Sequence, residues 1–382
     1  MTLHRFAFPT PIVFGAGARR EVSKHLLAAG IRRPLLVTDE GLAKLPVLAG
    51  FLSDLTGLEV AVFSGIRGNP TGTQVAAGAE AYRAHGADAV IGFGGGAALD
   101  VAKVVAMMAV HPGQVLEYAW DHPEVRAITA ELPYFVAVPT TSGTGSEVGR
   151  SSVISDDETH LKKIVFSAKL LARAVFADPE LTLDMPAAIT ASTGMDALTH
   201  NVESYLSPDY HPMCDGIALE GVRIAARSLA KAVREPRNLE ARTDMMMASL
   251  MGAVAFQKDL GATHSCAHAL STVADLHHGL ANGIMIDHVM RFNQSAATEK
   301  MAELAHVAGV AKGDAEASAA AFIAWLGELK AQVNVPAKLS AVGVTSAQIE
   351  ALVKVAVDDI CHKTNPRPCS ADDFRAIFAA AI

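Results

Sequence analysis

The segment ADAVIGFGGGAALDVAKVVAMMAV, residues 87–110, decides the fold of the first half of the chain. An apolar run ends in three successive glycines, and the residues that follow carry apolar side chains at helical spacing. This pattern is typical of a buried parallel strand that turns directly into a helix. The glycines let the backbone approach a ligand closely, and the helix N-terminus offers free N–H groups to a phosphate. Because the turn is not GxGxxG, a tight turn without a ligand is the alternative interpretation.

The same rhythm continues on both sides of this segment. Apolar runs at 34–41, 58–65 and 134–141 also end in Gly, Asp or Thr, and helical stretches such as 74–86 separate them. Alternating strands and helices favour an open, mostly parallel sheet with helices on both faces. After about Met185 the strand signals fade and helical periodicity dominates. We therefore predict an α/β, Rossmann-like domain over residues 1–185 and an all-α domain over 186–382, closely packed with a cleft between them.

Composition narrows the class of protein. The 382 residues are 51% hydrophobic, but no long apolar stretch free of polar residues indicates a membrane span, and the start lacks a secretory signal. Four scattered cysteines without a CxxC pair indicate reduced thiols and a cytoplasmic setting. The net charge of −8, without a basic run and with few aromatic residues, argues against nucleic-acid binding. The sequence thus predicts a soluble, cytoplasmic enzyme.

Two segments of the second half carry candidate metal ligands. TGMDALTHNVESY (193–205) places Asp196 and His200 four residues apart, which is one face of a helix. GATHSCAHALSTVADLHHGLANG (261–283) contains His264, His268 and the pair 277–278. Mixed oxygen and nitrogen donors without thiolates suit Fe(II) or Zn(II) and differ from a structural zinc site. A single histidine in a helical domain is more often a packed or surface residue, but this joint spacing predicts a divalent metal site.

A second turn and one acidic residue extend the cofactor prediction. PTTSGTGSEVGR (139–150) follows a strand and is rich in hydroxyl groups and glycine. Two such loops at the carboxyl ends of parallel strands are the expected place for a dinucleotide. Asp39 ends another strand, where a carboxylate accepts hydrogen bonds from an adenosine ribose and repels a 2′-phosphate, which favours NAD. Its alternative role is to cap the helix that follows.

In the order of its motifs the chain resembles the iron-containing (metal-dependent, group III) alcohol dehydrogenase family. The motifs run from FGAGA (14–18) to NPRPCSADD (365–373) and include GGGAALDVAK (94–103) and GMDALTHNVESY (194–205). The resemblance implies a dinucleotide-binding N-terminal domain and a helical, metal-binding C-terminal domain, a dehydroquinate synthase-like architecture. It also implies the cofactors NAD and Fe2+, with Zn2+ as the other candidate ion.

The resemblance carries over to individual residues. The implied metal ligands are Asp196, His200, His264 and His278, with His277 in place of the family's proline. His268 matches a family histidine near the nicotinamide and substrate. Cofactor-contacting positions are Asp39, Asn69, Gly95, Gly96, Ala97, Asp100, Thr140, Thr141, Ser142, Thr144, Lys163 and Thr182. The family usually has serine where this chain has Ala97, so one hydroxyl contact is missing while the backbone N–H groups remain.

The substrate pocket is the least determined part. Ser151, Phe256 and Cys361 are predicted to border it, although an inert buried thiol is an equal interpretation of Cys361. Arg150 and Lys258 are candidates to bind a substrate carboxylate, which favours a hydroxy-acid or semialdehyde. Structural or cofactor contacts of Arg150 and a solvated Lys258 are the alternatives.

The predicted activity is reversible hydride transfer between an alcohol and NAD⁺, with His268 relaying the alcohol proton. The alternatives are a maleylacetate reductase-like or polyol dehydrogenase activity and, more distantly, a metal-dependent lyase of the dehydroquinate synthase type. The lyase needs a phosphate-binding cluster of Lys, Arg and His that the sequence lacks. A non-catalytic scaffold is disfavoured by the intact ligand set. The expected partners are a small-molecule alcohol or aldehyde and a second copy of the chain in a homodimer.

Overall fold

The computed structural model describes Phe8 and residues 10–382, which divide into two compact units. An α/β unit contains residues 8–141 and 145–182, apart from position 9. A helical unit contains residues 142–144 and 183–382. The predicted fold class, a Rossmann-like parallel sheet followed by a helical part, is confirmed.

The strands of the α/β unit are β1 Ile12–Phe14, β2 Pro34–Asp39, β3 Ala61–Ile66, β4 Ala89–Gly94, β5 Tyr134–Pro139, β6 Ser151–Ser155, β7 Lys162–Phe166 and β8 Ala174–Ala177. Six of them form a parallel sheet of order β1-β8-β5-β4-β2-β3, and β6 and β7 form a separate antiparallel hairpin. The helices are α1 Glu21–Ala28, α2 Pro46–Asp54, α3 Gly72–His85 and α4 Gly96–Met108. Every predicted strand of the first half is present.

Burial explains why the central strands read as continuous apolar runs. All six residues of β4 are buried, and so are five of the six in β5. On one face of the sheet the rings of Phe51 and Phe93 stack with their centroids 4.6 Å apart. Strands covered by helices on both faces need apolar side chains on both, so the alternation of a half-exposed strand is absent.

The helical unit contains α5 Ala187–Leu206, α6 Pro212–Arg234, α7 Leu239–Ala255, α8 Ala262–Ala274, α9 His278–Val307, α10 Ala315–Gln332, α11 Ile349–Asp358 and α12 Ala371–Ala381. Helix α5 packs against α6, α7 and α9 and is buried around almost its whole circumference. Among the described residues, none of the helices combines the length and the apolar character needed to cross a bilayer.

A buried polar network joins α4 to the segment that precedes β6. The ammonium group of Lys103 is fully buried and donates to Ser146 Oγ and to the carbonyl oxygen of Ser151, both at 2.7 Å. Ser146 Oγ in turn donates to Asp100 Oδ1 at 2.6 Å. Next to this network lies Glu147, which is also buried. Burial raises the pKa of Glu147 to about 7, because the charged carboxylate is poorly solvated there.

The raised pKa of Glu147 predicts a specific pH dependence of stability. In the unfolded chain the carboxyl ionises near pH 4.5, whereas in the folded protein it does so near pH 7. The folded state therefore binds more protons in this interval, and this group's contribution to stability is lost as pH rises through it. Glu147→Gln does not have this loss. We therefore expect the unfolding free energy of the variant minus that of wild type to rise by on the order of 3 kcal/mol between pH 4.5 and 8. Chemical denaturation at both pH values measures this, and parallel pH profiles of the two proteins contradict it.

Candidate metal centre

One face of α5 supplies the core of the candidate site. Asp196, His200 and Glu203 are separated by four and three residues, so they lie along one side of the helix. All three are at least 96% buried. Buried charged and polar groups are costly unless they have partners, so this face of α5 has to be met by polar atoms from other helices.

Helices α8 and α9 provide those atoms. His264 lies in the first turn of α8, and His278 is the first residue of α9. The next residue, Gly279, packs so closely on α5 that a Cβ there would lie 2.4 Å from the carbonyl oxygen of Ser192. This close approach of α9 to α5 brings the His278 ring next to Asp196.

The donor atoms converge on one region. Asp196 Oδ1 lies 3.5 Å from His278 Nε2 and 3.9 Å from His264 Nε2. One donor atom from each of Asp196, His200 and His264 lies within 4.8 Å of the other two. Bonds of roughly 2.1 Å in a tetrahedral site separate ligand atoms by about 3.4 Å, so the spacing of these residues fits a divalent ion.

The protonation of the site also suits a metal. Burial lowers the pKa of His200 to about 4, so its imidazole is neutral at physiological pH and has a lone pair to donate. Burial alone would raise the pKa of Glu203, but hydrogen bonds from His264 and Thr263 hold it below its ordinary value. The site therefore contains an ionised carboxylate, that of Glu203, which is hydrogen-bonded to the candidate ligand His264.

Three residues of the site were not found from the sequence. Glu203 accepts a hydrogen bond from His264 Nδ1 at 2.7 Å. Asn282 donates to Asp196 Oδ1 at 2.7 Å, and its Nδ2 lies 3.3 Å from Nε2 of both His264 and His278. The third, Asp359, contacts His268. Helical spacing carries a signal for the first two, because Glu203 is seven residues after Asp196 and Asn282 is four after His278.

His268 lies one turn after His264 on α8 and is held differently. Its Nδ1 is 2.7 Å from Asp359 Oδ2, and its ring stacks on His278 with a centroid distance of 5.2 Å. Asp359 also accepts from Ser265 Oγ at 2.7 Å and from the backbone N–H of Cys361 at 2.9 Å. The His268 side chain is 19% exposed, compared with 1% for His264. His268 therefore stays outside the ligand cluster but next to it.

The predicted substrate residues are distributed over both units. In the helical unit the Phe256 ring lies 5.2 Å from the His200 ring, and Cys361 belongs to a cluster with His268 and Asp359. Burial raises the pKa of the Cys361 thiol well above its usual value, as for an unreactive thiol. Ser151 begins β6 in the α/β unit, where its carbonyl oxygen accepts from Lys103.

The two cations suggested as carboxylate-binding groups have other partners. Lys258 is neither free for a substrate nor solvated: it is buried and forms an ion pair with Asp215. Its desolvated ammonium group needs that carboxylate, so the prediction for Lys258 was wrong. Arg150 lies over the Phe166 ring at 5.2 Å, which is a structural contact of the kind proposed as its alternative.

The glycine turn between β4 and α4 has the backbone expected for close ligand approach. Gly94 has φ 151°, and a Cβ there would lie 2.6 Å from the Cβ of Ala98. Helix α4 begins at Gly96 with Gly95 as its N-cap, and no described side chain caps it. The N–H groups of its first turn consequently have no partner within the helix and are suited to a phosphate. Asp39 Oδ1 accepts from the Leu42 N–H at 2.8 Å, although the N-cap of the short 3-10 helix Leu42–Lys44 is Gly41.

The remaining predicted cofactor residues have different surroundings. Ala97, Thr141 and Asn69 lie on the turn or on loops of the α/β unit with side chains that are at least partly exposed. Asp100, Thr140 and Thr182 instead make internal hydrogen bonds with polar atoms of that unit. Lys163 is ion-paired with Asp121 at 2.6 Å. The short segment with Ser142 and Thr144 clusters with the helical unit.

Comparison with known proteins places the chain in a family. The sequence model of the iron-containing alcohol dehydrogenases matches residues 9–179, and that of the C-terminal part of the Fe-containing alcohol dehydrogenase family matches 190–382. The chain is 39% identical over 363 residues to 4-hydroxybutyrate dehydrogenase of Cupriavidus necator, covering 92% of this chain and 93% of that one. It resembles the solved structure of a 1,3-propanediol oxidoreductase with a TM-score of 0.95 and 35% identity over all of both chains. It also resembles the structure of sulfoacetaldehyde reductase from Bifidobacterium kashiwanohense, solved with NAD+. The TM-score is 0.90 and the sequence identity 30%, over 100% of this chain and 99% of that one.

These matches define an oxidoreductase that acts on CH–OH groups. The chain belongs to the iron-containing alcohol dehydrogenase family. The predicted reaction class, NAD-linked dehydrogenation of an alcohol, is confirmed, and the matches favour it over the lyase and scaffold alternatives. Membership of the family also implies a metal ion and NAD(H).

The cluster of candidate ligands predicts which substitution reduces metal binding. For Asp196→Asn we expect metal affinity to fall by at least about 100-fold, because the substitution removes the only carboxylate of the four candidate ligands. Elemental analysis after metal loading measures the metal content directly. The matched control is His277→Asn, which changes the neighbour of His278 and should retain metal. Wild-type metal content in Asp196→Asn, or equal loss in both variants, contradicts the assignment.

Proposed function

We propose that this chain is a divalent-metal-dependent, NAD-linked dehydrogenase of short primary alcohols that carry a second polar group. The observation that carries the proposal is the convergence of Asp196, His264 and His278 on one region beside the neutral imidazole of His200. Three imidazoles and one carboxylate without a thiolate suit Fe(II), our first choice, and Zn(II) as the other candidate.

The substrate class rests on what the relatives act on. The names of three of them give 4-hydroxybutyrate, 1,3-propanediol and sulfoacetaldehyde. Each molecule has a terminal alcohol or aldehyde carbon and, a few atoms away, a carboxylate, hydroxyl or sulfonate group. We therefore propose that the substrate of this chain has the same layout. Because Lys258 is paired with Asp215, it is not the residue that binds the distal group.

The described side chains have distinct roles in this proposal. Asp196, His200, His264 and His278 would hold the ion. A bound divalent ion would supply Lewis acidity at the substrate oxygen, and bound NAD would supply the redox partner for the hydride. His268, whose Nδ1 is bound by Asp359, presents its other ring nitrogen to take up or return the alcohol proton. Phe256 lies beside His200 and offers an apolar surface that disfavours water there.

The cofactor proposal rests on the turn after β4. The uncapped first turn of α4 and the open backbone at Gly94 support binding of the NAD pyrophosphate there. Asp39 supports NAD over NADP, because a carboxylate at the end of β2 repels a 2′-phosphate. In this proposal residues 1–185 form the dinucleotide-binding domain and residues 186–382 the metal-binding domain.

We also propose a homodimer in the cytoplasm. Strand β1 is an edge of the described sheet and leaves Ile12 and Val13 each 37% exposed, a surface suited to pairing with a second copy. All four cysteines are free, which fits a reducing compartment.

The substrate proposal predicts a rank order in an assay. The purified chain, loaded with Fe(II) or Zn(II), is expected to form NADH from 4-hydroxybutyrate or 1,3-propanediol with a kcat/KM about tenfold or more above that for 1-butanol, which lacks the second polar group. Absorbance at 340 nm measures turnover, and Asp196→Asn treated in the same way is the inactive control. Equal kcat/KM for all three alcohols contradicts the substrate class, and no NADH from any alcohol contradicts the function.

The cofactor proposal predicts a gain of affinity at Ala97. Ala97→Ser adds a hydroxyl group in the first turn of α4, where a phosphate oxygen accepts it, and one such hydrogen bond contributes about 1 kcal/mol. We expect the Kd for NADH to fall about fivefold, measured by calorimetry. The control is Ala109→Ser at the other end of α4, which should leave the Kd unchanged. An unchanged or weaker Kd in Ala97→Ser contradicts the placement of the pyrophosphate.

A further inference from the structure

The carboxylate of Glu203 is buried and accepts hydrogen bonds from four N–H groups. Its Oε2 lies 2.7 Å from His264 Nδ1, 3.0 Å from Gly261 N and 3.3 Å from His264 N. Its Oε1 lies 2.6 Å from Thr263 N. A single side chain of α5 thus contacts the backbone at the start of α8 and the ring of one candidate ligand.

The backbone contacts replace a missing cap. The N-cap of α8 is Gly261, which has no side chain to accept from the first N–H groups of the helix. Asn365 Oδ1 accepts from the Ala262 N–H, and Glu203, from a different helix, accepts from the N–H groups of residues 261, 263 and 264. The negative charge of Glu203 lies at the positive end of the α8 dipole. The approach is so close that a Cβ at Gly261 would lie 2.7 Å from Glu203 Oε1. Glu203 therefore fixes where α8 begins relative to α5.

The ring contact determines a tautomer. Both oxygens of Glu203 already face backbone N–H groups and act as acceptors, so the hydrogen atom between Glu203 and His264 lies on Nδ1. Nε2 then carries the lone pair, and it is the nitrogen that lies 3.9 Å from Asp196 Oδ1. We propose that Glu203 is a positioning residue that keeps His264 Nε2 unprotonated and directed at the metal site while anchoring the first turn of α8. This inference rests on the proposed metal site.

Glu203→Gln separates the effect of acceptor chemistry from that of shape. Glutamine has nearly the same size but carries one oxygen and one NH₂ group. With NH₂ towards His264, Nδ1 must accept and the ring proton moves to Nε2, where it blocks metal binding. With NH₂ towards Thr263, two donors face each other across 2.6 Å. Either orientation disfavours the wild-type arrangement, and we expect Zn(II) affinity to fall about 10–100-fold.

The decisive measurement is the ring tautomer of His264. Long-range proton–nitrogen NMR of the ¹⁵N-histidine-labelled, full-length chain, stripped of metal with a chelator, distinguishes a proton on Nδ1 from one on Nε2. His264→Asn identifies the signal. We expect the Nδ1–H tautomer in wild type and an Nε2–H or mixed state in Glu203→Gln. A purely structural role of Glu203 would leave the tautomer unchanged.

Zn(II) affinity, measured by competition with a fluorescent chelator, is the second readout. The matched control is Glu299→Gln, an exposed carboxylate on α9 of the same unit, which should match wild type in both measurements. Wild-type tautomer and Zn(II) affinity in Glu203→Gln overturn the proposal. If that variant does not fold, the wild-type spectrum decides, because Nε2–H in wild type overturns it too. A chain that fails to oxidise alcohols but shows the expected tautomers refutes the proposed function and leaves this inference standing.

Discussion

The cost of burying charge in α5 is the constraint on which the helical unit depends. Asp196, His200 and Glu203 lie along one face of a helix that is packed on nearly all sides. An unpartnered carboxylate in that place costs several kcal/mol, so α8 and α9 must begin where their polar groups reach it. The glycines at 261 and 279 make this close approach sterically feasible. The same contacts therefore serve the fold and the site, because those that satisfy the buried charges also bring the candidate ligands together.

The α/β unit shows the same rule with a cation. Lys103 is buried behind the glycine turn, and burial lowers its pKa. Ser146 Oγ and the carbonyl oxygen of Ser151 accept hydrogen bonds from its ammonium group, and Asp100 lies 3.4 Å away. These contacts tie α4 to the segment before β6 without involving the first turn of α4. The backbone N–H groups of that turn thus remain available to a ligand, and the contacts that hold the helix in place lie on its buried face.

The sequence predicts what local geometry determines. Strands β2–β5 were predicted because each contains six residues of largely apolar character, whereas β1 and β8, with three and four residues, and the hairpin β6–β7 were not. Spacing along a helix likewise brings Asp196 together with His200. Contacts between distant segments leave no such signal. Asp359 lies 91 residues from His268, and Asp215 lies 43 from Lys258, so neither partner was found. The error at Lys258 follows directly, because an isolated lysine in a sequence gives no sign of a buried carboxylate partner.

Two histidines on one helix show why residue type alone does not determine function. His264 and His268 are one turn apart on α8, and each has Nδ1 bound by a carboxylate at 2.7 Å. Their hydrogen bonds therefore expose the same ring nitrogen in both cases. What differs is the surroundings: His264 is buried opposite Asp196, whereas His268 is about one-fifth exposed. A buried lone pair among other donors suits a metal ligand, because no water competes for it. A partly exposed imidazole suits proton transfer, because the proton must reach solvent. The depth of each ring below the surface thus supports the different roles proposed for two otherwise equivalent side chains.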